Sequence, residues 1–340
     1  MTNKSLAGRS IEIIKREGVG EFLRRAGMYV FGFLPRYWRA LVRPRHSIKD
    51  ELRYRASYLR RPSREVVREI QGSRMLLNLR DQGIHKDLFL YGKREPECTR
   101  LVQQEVRKGM KIVDIGANIG YYVLMEAKIV GDSGKIYAIE PEPANFEVLK
   151  KNVAMNSYTG RVEPLMASVG DKNEASYLLV SSQANLHKIA TPEQVRQNTG
   201  KLIKVDMVSL DRFLEGKEVG FVRMDVEGYE YFIIRGMERI FREGRPLKML
   251  IEVHTVGVKN RGGNVDEFLQ RLADANLSLK YFVTAVRESA LKSFLGWFIG
   301  KGLPAEVTVK YDRPLKALLE DSDVNHLLKS TPGYSLFLER

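Results

Sequence analysis

Residues Lys111–Gly120 read KIVDIGANIG, and an Ile-Glu-Pro triplet follows at Ile139–Pro141. An apolar run that closes in Asp-x-Gly-x-Asn-x-Gly and then opens a helical pattern reads as a strand, a tight loop and a helix, with backbone bare enough to touch a ligand. A carboxylate about twenty residues further on, at the end of the next strand, is placed to hold a ribose. Together these features predict a nucleoside cofactor. A dinucleotide fingerprint needs glycine at three places, G-x-G-x-x-G, for a tight turn, close approach to a pyrophosphate and close packing of helix on strand. Here Asn118 and Tyr121 stand at the second and third places. Tyr121 would hold the helix off the strand and Asn118 would lie in the path of a pyrophosphate, which argues against a nicotinamide dinucleotide. Asn118 also brings a side-chain amide able to bind a carboxylate or an amine, which suits a cofactor with an amino acid tail.

Beyond this loop, short apolar runs alternate with helical patterns. Strands are predicted at Lys111–Ile115, Lys135–Glu140, Arg161–Ala167, Phe221–Asp225 and Lys248–Val253, each apolar enough to be buried on both faces. Helical spacing runs through Tyr121–Val130 and Asn145–Asn156, and Asn145 reads as a cap of the second. The alternation predicts a doubly wound α/β sheet. A helix at Val265–Ala275 and strands at Leu279–Val286 and Tyr334–Leu338 complete it. The arginine-rich stretch Arg45–Arg80 reads as one or two helices leading into a short strand near Met75–Arg80. Tyr177–Lys204 is polar and reads as a loop or hairpin over the C-terminal strand ends, where acceptor contacts would fall. Ser293–Leu303 is an apolar piece that reads as a lid, a packing hairpin or an interfacial contact.

The segments DIGANIGYY, YAIEPEPANFEVLKKN, VRMDVEGYE and LIEVH resemble, in order and spacing, the FkbM family of S-adenosylmethionine-dependent methyltransferases. DLFLYGKREPE before them and VDMVSLDRFL at Val205–Leu214 are similar too, so the resemblance covers Asp87–Glu252. It implies a class I, Rossmann-like, seven-stranded sheet, mostly parallel with an antiparallel edge strand, in which the last two segments, Leu279–Val286 and Tyr334–Leu338, form an antiparallel pair at the sheet edge. It implies S-adenosylmethionine as cofactor. Asp114, Gly116, Ala117, Asn118 and Gly120 would surround its methionine part, Glu140 its ribose hydroxyls and Ser168 its adenine. It also implies O-methylation, typically of sugars or secondary-metabolite hydroxyls.

Asp225 and Glu227 stand two residues apart at the end of the fourth strand, and Glu252 and His254 repeat that spacing at the end of the fifth. If the strands continue, each pair points to one side. Such a convergence suits a general base for a hydroxyl, with an imidazole tuned near neutrality and a carboxylate to orient it. The same residue types could hold a divalent ion, although no metal is assigned. Alternatively, Glu227 and Glu230 form salt bridges to Arg223 or Arg235. Methyltransferases of exocyclic base amines resemble one another in an Asn/Asp-Pro-Pro-Tyr/Phe motif here. Asp225, Val226, Glu227 and Gly228 lack its prolines, which counts against base N-methylation.

Charge divides the chain. Residues 1–85 hold 19 Lys and Arg against 8 Asp and Glu, a net +11, whereas residues 86–340 hold 37 against 34, a net +3. This division predicts a basic, largely helical extension at 1–85 and a methyltransferase domain at 86–340. A nucleic-acid enzyme would be expected to carry a basic face on the domain itself, so the distribution weighs against that partner. Within the extension, Glu21–Arg45 mixes aromatics with arginines, and its longest uncharged run, Ala26–Pro35, is too short to span a bilayer. It reads either as peripheral membrane contact or as packing on the domain. The expected setting is the cytoplasm, including the inner face of the membrane, with a small-molecule or glycan acceptor. One cysteine, Cys98, excludes an internal disulfide or a cysteine-based metal cluster.

Overall fold

The computed structural model describes residues 48–60, 63–285 and 306–340; the arm Glu21–Arg45 and the piece Ser293–Leu303 lie outside the described residues. Among the described residues, no helix is long and apolar enough to cross a membrane. The chain divides into two units, and the larger, Tyr54–Val286 with Pro304–Arg340, holds every element below except the start of α1. It takes in residues 54–85, which the sequence assigns to the extension.

After α1 (Ile48–Arg60), the chain forms an antiparallel hairpin of β1 (Glu65–Ile70) and β2 (Ser73–Asn78). Glu65–Ile70 is thus a strand and not the expected helix. Its two buried apolar residues, Val66 and Ile70, are four apart, a spacing that keeps two side chains on one face of a helix and also of a strand. The turn decides between the two: Gln71 and Gly72 both take positive φ, 54° and 73°, as a two-residue hairpin turn of right-handed twist requires.

The main sheet has eight strands. Its order is β5 (Val162–Leu165), β4 (Lys135–Ile139), β3 (Lys111–Ile115), β10 (Phe221–Met224), β11 (Lys248–Val253), β14 (Tyr334–Glu339), β12 (Ser278–Ala285) and β13 (Glu306–Pro314). The first five are parallel, and β14 runs antiparallel to both β11 and β12. Two corrections follow to the expected seven strands. The reversed β14 lies inside the sheet, and an unexpected eighth strand, β13, pairs antiparallel with β12 at the edge. Val307 and Val309 of β13 are exposed, so no buried face marks the strand in the sequence.

Residues alternate between two cores. Val113 and Ile115 of β3 pack with Ile233 of α8 (Glu230–Arg235) and Phe268 of α11 (Val265–Asp274). Ile112 packs on the other side with Leu101 of α3 (Pro96–Glu105), Leu124 of α4 (Tyr121–Val130) and Leu149 of α5 (Pro143–Met155). α2 (Ile84–Tyr91) adds Leu88 to this second core. The hairpin is tied to the cofactor-type loop through one side chain. Asn152, fully buried on α5, accepts from the Leu76 N–H at 2.7 Å and donates to the Ile119 carbonyl at 2.8 Å. Asn152→Ala should lower the unfolding free energy by ~1–3 kcal/mol, because two buried backbone groups lose their partner. Denaturant unfolding measures it, and an unchanged midpoint would refute the tie.

The strand expected at Arg161–Ala167 is β5, which ends at Leu165; the chain then leaves the main sheet, and β6 (Ser168–Gly170) joins a second, four-stranded sheet. There β6 pairs with β9 (Lys201–Ser209), β9 with β7 (Ala175–Val180), and β7 with β8 (Lys188–Ile189). Tyr177–Lys204, expected as a loop or hairpin, is therefore largely a hairpin, carrying β8 and the short α6 (Pro192–Arg196) between its arms.

Candidate functional site

The C-terminal ends of β3, β4 and β10, together with β8, wall a cleft. Gly116, Ala117 and Asn118 form its floor after β3. Gly116 has φ 76°, and a Cβ there would stand 2.1 Å from the Asp225 carbonyl, so the first loop glycine lets the end of β10 close in. Gly116 and Ala117 both donate to the Ile139 carbonyl at 3.0 Å. Asn118 takes φ 51°, and its Nδ2 donates to the Ala184 carbonyl at 2.8 Å, which draws the segment after β7 over the loop. Gly120 does not line the cleft; it opens α4 with φ 93° and packs against Leu149.

Glu140 follows β4 and is buried. Its Oε1 accepts from the Glu142 N–H at 2.9 Å and its Oε2 from the Asn118 N–H at 2.8 Å. Burial, only partly offset by these two bonds, pushes its carboxyl up to about 7. Asn145 is not the cap of α5: Glu142 caps it, accepting from the Asn145 N–H, while the Asn145 amide donates to Ala184. Ser168 lies on the cleft wall with its hydroxyl on the Asp206 carbonyl at 3.2 Å.

Asp114 is placed differently from the rest of its loop. It is fully buried and does not line the cleft; the Arg223 Nη1 donates to its Oδ1 at 2.8 Å. Parallel pairing sets Asp114 directly beside Arg223. Burial raises the Asp114 carboxyl more than Arg223 lowers it. The guanidinium continues to Asp225, 3.6 Å from Nη2, and lies 3.8 Å from the ring centre of Tyr122. The Tyr122 hydroxyl donates to Glu95 at 2.8 Å, and Glu95 pairs with Arg94 Nε at 2.6 Å. Arg94, Glu95, Tyr122 and Arg223 all line the cleft, and sequence reasoning assigned a site role to none of them. The signal available for Arg94 and Glu95 was their place in the segment DLFLYGKREPE.

At the far end, Asp225 and Glu227 line the cleft. β10 stops at Met224, and Glu227 takes φ 55° before Gly228 at φ 98°, whose Cα faces the Gly257 backbone too closely for any side chain. His254 and Glu252 stand beside them. The His254 Nδ1 is 2.8 Å from Oε1 of Glu230, and its Nε2 is 3.8 Å from Glu227 and 3.6 Å from Glu252. Neither expected salt bridge forms: Arg223 serves Asp114 and Asp225, and Arg235 faces Asp171 at 3.5 Å. Nor does His254 sit near neutrality. Burial pulls its pKa down, but the hydrogen bond and charge of Glu230, with Asp225 and Glu252, push it up to about 10. Burial and Asp225 raise the Glu227 carboxyl, and burial raises that of Glu252 still further.

Five parallel strands run into a reversed sixth, with an acidic residue closing the second strand and a glycine loop closing the first, the arrangement that the resemblance to S-adenosylmethionine-dependent methyltransferases implies. Residues 114–279 match the methyltransferase FkbM domain. Over 111 residues the chain is 30% identical to a protein-L-isoaspartate O-methyltransferase of Methanothrix thermoacetophila, covering 32% of this chain and 52% of that one. It is 26% identical over 189 residues to the hexuronic acid methyltransferase AglP of Haloferax volcanii, covering 54% and 70%. It is also 26% identical over 161 residues to the 31-O-demethyl-FK506 methyltransferase FkbM of Streptomyces tacrolimicus, covering 39% and 62%. The chain thus spans about half the length of the first of these relatives.

Proposed function

We propose that the protein transfers a methyl group from S-adenosylmethionine to a hydroxyl of a sugar, glycan or glycolipid-like acceptor. The observation that carries this reading is one cleft with a ribose-type carboxylate, Glu140, at one end and two carboxylates, Asp225 and Glu227, at the other. The residues fit the cofactor: Gly116 leaves the floor bare, and the Glu140 carboxyl, buried yet on the cleft wall, suits a pair of donating hydroxyls. Gly116, Ala117 and Asn118 would hold the methionine part, Glu140 the ribose and Ser168 the adenine. Asp114 and Gly120 would act from behind the loop, as anchor of Arg223 and as opening of α4. When bound, the cofactor supplies an already activated methyl group, so the protein's task is alignment and removal of one proton.

Asp225 and Glu227 are the groups on the cleft wall that can draw that proton from a hydroxyl. His254, protonated on both nitrogens in the free protein at neutral pH, acts by orienting them and not as the base. The names of the relatives AglP and FkbM point to a sugar acid and to an oxygen acceptor. The segment 178–189 roofs the cleft through Leu178, Ala184 and His187 and is where acceptor selection would lie.

Calorimetry with S-adenosylhomocysteine tests the donor half, and labelled cofactor with a panel of sugars tests the acceptor half. The folded protein should bind one equivalent of S-adenosylhomocysteine. Asp225→Asn should keep that binding while turnover falls by about 10²–10⁴-fold. Absence of binding by folded protein, or full turnover by Asp225→Asn, would sink the corresponding half.

A further inference from the structure

Asp225, Glu227 and His254 each present one donor atom within 4.8 Å of the other two. The imidazole is held from its far side. Its Nδ1 meets Oε1 of Glu230, a fully buried carboxyl whose Oε2 has no hydrogen-bond partner. A carboxylate on one ring nitrogen is how proteins set the tautomer and aim of a metal-binding histidine. The other nitrogen, Nε2, faces Glu227 at 3.8 Å and Glu252 at 3.6 Å. Both separations are too long for hydrogen bonds. Two donors at ~2.1 Å from one cation stand ~3.0 Å apart at a right angle and ~3.6 Å apart at 120°, so the cluster is slightly open around such an ion.

Charge points the same way. Glu95, Asp114, Asp225, Glu227, Glu230 and Glu252 face the guanidinium groups of Arg94, Arg223 and Arg261, the Lys188 ammonium and His254, so that carboxyls outnumber cations by one even with His254 protonated.

We propose that Asp225, Glu227 and His254 form a divalent-cation site at the acceptor end of the cleft, with Glu230 as the residue that positions His254 and the Nε2 proton of His254 leaving as the ion binds. Two carboxylates and one imidazole suit Mn²⁺ or Mg²⁺ better than ions that seek thiolates. The role of the site rests on the methyl-transfer reading, but its existence does not. An acceptor oxygen bound to such an ion loses its proton more readily. The O–H bond breaks with its proton passing to the Asp225 carboxylate oxygen that the ion leaves free; the oxygen then bonds to the methyl carbon, and the electron pair of the broken C–S bond stays on sulfur.

Electron paramagnetic resonance of MnCl₂ added to the full-length protein, without cofactor, tests the site. One equivalent of Mn²⁺ should lose its free-ion signal. Glu227→Gln and Asp225→Asn, both isosteric, should each weaken uptake by more than tenfold, and Glu230→Gln by about 10–100-fold. Thermal melting of each variant establishes that it is folded, and Glu227→Gln, on the cleft wall, carries the test by itself if Glu230→Gln unfolds. No uptake by the wild-type protein, or uptake that Glu227→Gln leaves unchanged, overturns the proposal. S-adenosylhomocysteine binding on the same samples separates the two readings. Binding of S-adenosylhomocysteine without Mn²⁺ overturns the cation site alone, and Mn²⁺ uptake without it supports the site and overturns the methyl-donor reading.

Discussion

Arg223→Met should lower the unfolding free energy by about 3–5 kcal/mol, because it strips a buried carboxylate of its counter-charge. The Asp114 side chain is fully enclosed, and the Arg223 Nη1 is the group that hydrogen-bonds its Oδ1. Asp114→Asn together with Arg223→Met should recover most of that loss, since the double variant leaves no uncompensated charge. Chemical denaturation of the four proteins gives the coupling directly. Strictly additive losses, or a single-variant loss below ~1 kcal/mol, would show that the pair does not hold the sheet centre. The prediction matters beyond stability, because the same guanidinium reaches Asp225 and lies over Tyr122, so it links the end of β3 to the proposed acceptor end of the cleft.

S-adenosylhomocysteine should bind the wild-type protein about tenfold more weakly at pH 6 than at pH 8, with the change centred near the Glu140 pKa of about 7. The sign follows from the chemistry of the diol. Ribose hydroxyls donate to a carboxylate, so affinity is present when Glu140 is ionised and falls as pH drops through 7. The free protein shows the opposite trend from this group. A carboxyl raised by folding binds its proton more tightly in the folded state, so its contribution to stability is greatest below the unfolded pKa and is lost as pH rises through about 7. Glu140→Gln should flatten the binding profile and cost on the order of 100-fold in affinity, the worth of charge-assisted hydrogen bonds to the two hydroxyls. A wild-type profile that is flat from pH 6 to 8, or a variant that keeps the slope, would remove Glu140 from the ribose site.

Much of the sheet was legible because its central strands are apolar on both faces and stand between helices with marked periodicity. Lys111–Ile115, Lys248–Val253 and Tyr121–Val130 lie where the sequence placed them. Elements with one exposed face were harder. β1 carries a spacing that fits two periods, and β13 buries no apolar stripe. The strand expected at Arg161–Ala167 stops at Leu165 because the chain leaves the main sheet there, a matter of tertiary pairing of Ser168–Gly170 with β9.

Composition and motif order by themselves determined the doubly wound class, the loop at Gly116–Asn118, the acidic residue at the next strand end and the acidic end of the fourth strand. These are local: each depends on residues a few positions apart and on the tight turns that glycine permits. Only the tertiary structure decided that Asp114 faces Arg223 and not the cleft, that Arg94, Glu95 and Tyr122 join the site, and that His254 carries a proton at neutral pH. Those outcomes depend on which strands lie side by side and on how deeply each charge is buried. Asp114 and Arg223 are 109 residues apart along the chain and 2.8 Å apart in the fold. Desolvation and Coulomb energy act across that short distance, and no pattern along the chain records it.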